Sequence, residues 1–149
     1  MQPVPVHPVI VRLAESPEDL ETCLHIRRVV FVDEQGVPES EELDGLDDQC
    51  THFLATAGGE PVGTARLRLI DGKAKAQRVA VLRQSRGAGI GRSLMASLEA
   101  VARTRGAREV VLAAQVTAIP FYQRIAYVAE GEEFMDAGIP HRWMKRPLR

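Results

Sequence analysis

The sequence has few of the residues that mark exported, redox-active or membrane-spanning proteins. It contains two cysteines, one tryptophan and 5% aromatic residues. Cys23 and Cys50 belong to no C-x-x-C pair, which excludes a zinc ribbon or a thioredoxin-like motif, and we expect free, buried thiols. No apolar run approaches the ~18 residues of a membrane span. The start has prolines where a signal peptide needs basic and apolar segments, so we expect a cytoplasmic protein.

Basic and acidic residues are nearly equal in number. Nineteen basic and twenty acidic residues give a net charge of -1, which argues against a non-specific nucleic-acid binder. Arg66, Arg68 and Arg78 could line one sheet face, but no aromatic residues interleave with them, and we interpret them as solvated. With 149 residues, 45% of them hydrophobic, the chain predicts one domain over residues 1–149 whose core needs no metal.

The hydrophobic pattern predicts a mixed α/β domain of the α+β type. Ser16 followed by Pro17 predicts a helix start in which the Ser16 side chain accepts a hydrogen bond from the Asp19 amide. Its apolar face should include Leu20, Cys23 and Leu24. Predicted strands occupy residues 9–13, 51–57, 62–69, 74–82, 109–114 and 141–145, and further helices run from Ile90 to a Gly106 cap and over residues 120–124.

An acidic segment separates the first helix from the antiparallel strands. Eight of the twenty acidic residues lie between positions 33 and 48, among turn-forming glycines and proline. We expect a loop or short helix there. One interpretation is that these carboxylates form a solvated face. The other is that their combined negative field attracts a cationic ligand.

A glycine-rich turn lies between a predicted strand and the long helix. Gly87, Gly89 and Gly91 allow a tight bend that exposes backbone amides at the positive end of the helix dipole, between Arg86 and Arg92. Such a turn can hold phosphate, although a bend without a ligand is the alternative. Its spacing is neither that of a P-loop nor the G-x-G-x-x-G of a dinucleotide fold, which leaves a nucleotide-binding interaction domain as a lesser possibility.

The turn resembles the acetyl-CoA signature of the GNAT superfamily of N-acetyltransferases. Residues 84–89, Gln-Ser-Arg-Gly-Ala-Gly, match its [QR]-x-x-G-x-[GA] pattern, and the similarity extends over nearly the whole chain. Residues 30–38, 112–115 and 138–141 resemble the ElaA-like bacterial members. The resemblance implies a single curved, mostly antiparallel sheet flanked by helices, with one parallel βαβ pair splayed at the ligand site.

The resemblance also implies acetyl-CoA as co-substrate, with no metal. Backbone amides would hold its pyrophosphate, and those residues are Arg86, Gly87, Ala88, Gly89, Ile90, Gly91 and Arg92. The pantetheine arm would pair with the main chain of Val79, Ala80 and Val81. The opening would lie between the strands at 74–82 and 109–114.

The implied reaction is transfer of an acetyl group to a primary amine of a small molecule, by direct attack through a tetrahedral intermediate. The Val79 amide would donate to the thioester oxygen, and Tyr122 would be the general acid. Tyr127 is a second candidate for the acid, because Ala126 stands where the family usually has glycine. A non-catalytic acyl-CoA sensor is the alternative function.

The acceptor site is less defined by the sequence. We expect Glu34, Glu42 and His141 to bind the amine, and the charge of the acidic segment favours a cationic acceptor. Candidates for the general base are Glu34, Glu41, Glu42, Asp44, His52 and His141, with Glu34 the first choice. The expected partner is a small-molecule amine, without nucleic acid or membrane, and the protein would be a monomer or homodimer.

Overall fold

A computed structural model describes residues 7–148 and contains a seven-stranded sheet. The proline-containing start, residues 1–6, lies outside the described range. The strands are β1 (Val9–Leu13), β2 (Thr51–Ala57), β3 (Glu60–Ile70), β4 (Lys73–Val81), β5 (Glu109–Gln115), β6 (Val128–Asp136) and β7 (Ile139–Pro147). The helices are α1 (Pro17–Arg27), α2 (Glu39–Glu42), α3 (Ile90–Thr104) and α4 (Ile119–Arg124). The sheet order β1-β2-β3-β4-β5-β7-β6 confirms the mixed α+β fold.

Two-residue turns fix the register of the β3–β4 and β6–β7 hairpins. Asp71 and Gly72 join β3 to β4 and both have positive φ, at 51° and 74°. Ala137 and Gly138 join β6 to β7 in the same conformation, at 51° and 74°. Positive φ at both central residues is the type I′ geometry, whose twist matches that of paired strands. The second hairpin brings the start of β7 to the end of β5, where His141 pairs with Gln115.

The parallel strands β4 and β5 separate after a short paired stretch. Residues 73–75 of β4 pair with residues 109–111 of β5, and the remaining residues of both strands diverge. A bulge in β4 at residues 78–79 accompanies the divergence, and Arg78 there has a φ of 54°. The fold therefore has an open gap in the middle of its sheet.

Helices cover both faces of the sheet near this gap. Leu94, Met95 and Leu98 of α3 are fully buried against the sheet. A Cβ atom on Gly63 of β3 would lie 3.0 Å from the Leu94 side chain, so glycine permits the close approach of α3. On α1, Cys23 and Ile26 are buried, and the Ser16 side chain accepts from the Asp19 amide at 3.1 Å as predicted.

Two local predictions require correction. Leu24 is 36% exposed, because it lies on the opposite side of α1 from Cys23 and Ile26. Cys50 is only partly buried, whereas Cys23 is inaccessible. After Arg27 the chain continues as a π-helix over Arg28–Glu34, a wider winding that side-chain periodicity does not reveal.

Candidate active site

A cavity of about 820 Å³ occupies the gap between the splayed strands. Its walls come from β4, β5, the glycine turn, α4, α2, the π-helix and the β6–β7 hairpin. Val79, Ala80 and Val81 line it where β4 has no neighbouring strand on the β5 side. An extended ligand can add to such an open edge through main-chain hydrogen bonds.

The glycine turn forms one end of the cavity. Gly89 has a φ of 79° and precedes α3, and no side chain caps the amides of the first helical turn. The amides of Ile90, Gly91 and Arg92 have no intrahelical acceptor there, so they can receive an anion at the positive end of the helix. Every residue of the predicted 86–92 cradle lines the cavity except Ala88, which is exposed at the tip of the turn.

Arg86 connects the glycine turn to the π-helix. Its guanidinium donates two hydrogen bonds to the Glu34 carboxylate and a third, 3.0 Å long, from Nε to the Val81 carbonyl. The Arg86 hydrogen bonds lower the pKa of Glu34. Glu34 does not line the cavity, so the structure places this acceptor-site candidate beside the glycine turn.

Tyr122 of α4 lines the cavity from beneath the glycine turn. The residue is 8% exposed, and its ring contacts Phe121 edge-on at a centroid distance of 4.9 Å. Burial raises the pKa of the Tyr122 hydroxyl above its ordinary value. The group therefore remains protonated throughout the physiological pH range, as a general acid must before it donates.

The Tyr127 hydroxyl already has a hydrogen-bond partner. Its hydroxyl donates to Glu99 Oε2 at 2.7 Å, and Arg146 holds the other oxygen of that carboxylate at 2.8 Å. Tyr127 does not line the cavity, whereas Tyr122 does. Between the two tyrosines, Ala126 has a φ of 74°, the left-handed conformation that the family's usual glycine would adopt freely.

A network of charged residues borders the cavity through Glu42 and Arg78 and corrects two predictions. Arg27 and Arg66 are fully buried, and neither Arg66 nor Arg78 is a solvated strand residue. The acidic segment supplies their partners: Arg27 and Arg78 bind Glu42, while Arg66 and Arg78 bind Asp44. Asp47 accepts from both Arg27 and Arg66.

The ion pairs of this network neutralise much of the negative charge that was expected to face an acceptor. Glu42 lines the cavity, but both of its neighbours within 2.9 Å are guanidinium groups. His52 lies in β2, away from the cavity wall, with its Nε2 atom 2.9 Å from the Asp47 carbonyl. Among the described residues, the acidic side chains that line the cavity and have no ion pair are Glu41 and Asp136.

His141 lies on the cavity wall. It pairs with Gln115 across β5 and β7, and its ring stacks on Phe134 at a centroid distance of 5.9 Å. Phe134 also stacks on Trp143, which lines the same wall at 45% exposure. The sequence analysis included His141 but gave Trp143 no role in the site.

The structure adds a bridge that the sequence analysis missed. Gln115 Nε2 donates to Gln35 Oε1 at 2.8 Å, which joins the end of β5 to the end of the π-helix beside the cavity. Gln115 belongs to one of the segments that resemble ElaA-like proteins, but its partner is 80 residues away in sequence. Residues 112–115 alone therefore could not identify this contact.

Known sequences and structures agree with this geometry. A family profile described as "Acetyltransferase (GNAT) domain" matches residues 16–148. The chain belongs to the GNAT acetyltransferase family. It is 42% identical over 135 residues to the uncharacterized N-acetyltransferase YjcF of Bacillus subtilis, a match that covers 90% of this chain and 96% of YjcF.

Two crystal structures of GNAT proteins have the same fold. Escherichia coli ElaA superposes with a TM-score of 0.81 at 27% identity, covering 93% of this chain and 99% of ElaA. An acyl-CoA N-acyltransferase from Pseudomonas aeruginosa superposes with a TM-score of 0.79 at 29% identity, and the match covers 94% of this chain and 99% of the Pseudomonas chain. The resemblance to ElaA-like GNAT proteins is therefore confirmed. Within residues 7–148, no helix is both long and apolar enough to cross a bilayer.

Proposed function

We propose that this GNAT protein transfers an acetyl group from acetyl-CoA to the primary amine of a small, cationic molecule. The observation that carries the proposal is the cavity itself, which joins an uncapped glycine turn to a buried tyrosine through an open strand edge. The turn suits the pyrophosphate, and the edge of β4 suits the amide-bearing pantetheine arm.

The chemistry follows from the groups on the cavity wall. The neutral amine attacks the thioester carbon, the Val79 amide donates to the developing oxyanion, and collapse of the tetrahedral intermediate breaks the C–S bond. Tyr122 gives its hydroxyl proton to the departing thiolate. The tyrosinate then takes the remaining extra proton from the newly bonded nitrogen, which restores the hydroxyl and leaves a neutral amide.

The preference for a cationic acceptor rests on three cavity-lining side chains. Glu41 of α2 and Asp136 at the end of β6 are exposed carboxylates without an ion pair among the described residues. Trp143 adds an exposed aromatic face, which attracts cations through the ring quadrupole. These groups replace the wider acidic field, because five of the eight carboxylates between positions 33 and 48 are ion-paired with arginines: Glu34, Glu39, Glu42, Asp44 and Asp47.

An acceptor series with a constant reacting end tests the proposal. Diaminopentane, aminopentanol and aminohexanoate each present a primary amine on an unbranched chain, but their far ends are cationic, neutral and anionic. We expect kcat/KM to fall in that order, by about threefold to tenfold per step at low salt. Asp136→Asn should weaken the preference, and Glu132→Gln, on the same strand but off the cavity wall, should leave it unchanged. Equal rates for the series would refute the cationic assignment.

A further inference from the structure

We propose that His141 is the general base that removes a proton from the acceptor ammonium group through its Nε2 atom. This inference rests on the proposed function, because it assigns a proton acceptor to the same acetyl transfer. Its basis is the position and hydrogen bonding of the imidazole.

The ring tautomer is set by a backbone contact. His141 Nδ1 lies 2.7 Å from the carbonyl oxygen of Ile139, two residues earlier in the same strand. A carbonyl oxygen only accepts, so Nδ1 must carry the hydrogen in the neutral ring. Nε2 is then unprotonated and has a lone pair available for a proton.

The ring is also held in place. His141 is 8% exposed, and its plane lies 24° from that of Phe134 in a stacked arrangement. Phe134 is itself stacked on Trp143, at an interplanar angle of 26°. A ring fixed by stacking and by a backbone hydrogen bond keeps its proton-accepting atom in one orientation, as general-base catalysis requires.

Three of the competing carboxylates are occupied by arginine side chains. Glu34 is bound by Arg86, Glu42 by Arg27 and Arg78, and Asp44 by Arg66. Ion pairing stabilises the charged form of a carboxylate and so makes it a weaker base. Glu41 and Asp136 are exposed, and their place in the proposal is to attract the cationic chain.

The groups around His141 are compatible with a neutral ring that becomes charged during the reaction. The titratable and charged side chains that line the same cavity are Glu41 and Glu42 of α2, Lys75 and Arg78 of β4, Arg86 and Arg92 at the glycine turn, Tyr122 and Arg124 of α4, and Asp136 of β6, while β5 pairs the uncharged Gln115 with His141. The acceptor arrives as an ammonium ion and gives one proton to Nε2. The resulting amine forms the C–N bond, and the imidazolium later releases its proton to water.

The experiment combines one direct observation with one kinetic comparison. In uniformly ¹⁵N-labelled protein near neutral pH, the His141 ring should show a protonated Nδ1 and an unprotonated Nε2, with its signals assigned through their loss in His141→Gln. In acetylation of diaminopentane, His141→Gln should lower kcat by about 100-fold or more, which is the lower range for general-base catalysis. The KM for acetyl-CoA should remain unchanged.

The pH profile separates a base from a structural histidine. The wild-type kcat should fall on the acid side as the ring is protonated, and His141→Gln should lose that limb. His25→Gln, on the exposed surface of α1, is the matched control and should retain the wild-type profile. His141→Asn provides a second amide substitution if the glutamine variant folds poorly.

Each result decides between the alternatives. An Nε2-protonated tautomer, or a His141→Gln enzyme with wild-type kcat and an unchanged acid limb, would overturn the assignment. If the wild-type protein acetylates none of the three acceptors, the proposed function fails and the base assignment fails with it, whereas an active wild-type enzyme with an unaffected His141→Gln variant overturns the base assignment alone.

Discussion

The guanidinium of Arg86 and the carboxylate of Glu34 form a two-point ion pair, with N···O distances of 2.6 and 2.9 Å. The pair joins the glycine turn to the π-helix and places a negative charge next to the proposed pyrophosphate site. Arg86 is therefore partly neutralised before the coenzyme arrives.

Removal of that negative charge should strengthen coenzyme binding. We expect Glu34→Gln to lower the Kd for CoA by about twofold to fivefold at low salt, with a smaller effect at high salt, because exposed charges are screened. Calorimetric titration measures the change. Glu39→Gln is the control, since Glu39 pairs with Arg28 on an exposed surface away from the cavity. Weaker CoA binding by Glu34→Gln would show instead that Glu34 positions Arg86 for the phosphates.

Loss of the Tyr122 hydroxyl should affect turnover and spare coenzyme binding. We expect Tyr122→Phe to reduce kcat by about 100-fold, within the usual range for a general acid, with little change in the Kd for CoA. Tyr127→Phe is the informative comparison, because its hydroxyl binds Glu99 in the core. That variant should lose stability and keep its kcat per folded molecule. A Tyr122→Phe enzyme with normal kcat would remove Tyr122 from the mechanism.

The buried charge network should make stability depend on pH in the acid range. A hydrogen bond from Arg66 lowers the pKa of Asp44 far below its ordinary value. Burial alone would raise the pKa of Asp47, but hydrogen bonds from Arg27 and Arg66 outweigh that effect, so this pKa is lowered as well. A lowered folded-state pKa stabilises the protein above the unfolded-state value of about 3.9, and this contribution disappears as pH falls through the folded-state pKa.

Urea unfolding of Asp44→Asn tests that dependence. At neutral pH the free energy of unfolding of the variant should be about 2 kcal/mol lower than that of the wild type. The loss is smaller than for a fully buried pair, because the Asp44 side chain is 26% exposed and Arg66 retains its ion pair with Asp47. The deficit relative to wild type should shrink progressively below about pH 4. Asp48→Asn, an exposed neighbour, should cost little at any pH. A deficit that is constant with pH would contradict the assigned ion pair.

A glycine at position 126 should stabilise the protein. Ala126 has a φ of 74°, where a Cβ atom is strained, so Ala126→Gly should raise the free energy of unfolding by about 1 kcal/mol. Ala100→Gly, on the exposed side of α3, should lower it by about 1 kcal/mol, because glycine is unfavourable inside a helix. Thermal or urea unfolding gives both values. Equal losses in the two variants would mean that the strain at Ala126 is negligible.

The strands and the conformation of the glycine turn were predictable because their signals are local. The type I′ turn at Asp71 and Gly72, the Ser16 cap and the alternating residues of β3 each depend on a few adjacent positions. The glycine turn could be assigned to a phosphate site for the same reason. Its resemblance to GNAT proteins then supplied the arrangement of the splayed strands.

The acceptor site was less predictable because its contacts join distant segments. Composition alone indicated solvent exposure for Arg66, which is instead buried between β-sheet and acidic segment through pairs to Asp44 and Asp47. The π-helix changes the direction of Glu34 without altering the hydrophobic pattern, so its pairing with Arg86 was not foreseeable. Charges that look free in a sequence can neutralise one another once folded.

The central claim is that the glycine turn binds the coenzyme, and titration with CoA tests it most directly. Gly89→Asp would place a carboxylate among the amides at the start of α3, whereas Gly106→Asp introduces the same residue after the other end of α3. Gly89 and Gly106 have φ values of 79° and 80°, and a Cβ atom at either position meets nothing within 4 Å, so the backbone strain is matched. We predict that CoA binds the wild-type and Gly106→Asp proteins and not Gly89→Asp. Equal CoA binding by both variants, or none by the folded wild-type protein, would contradict the account.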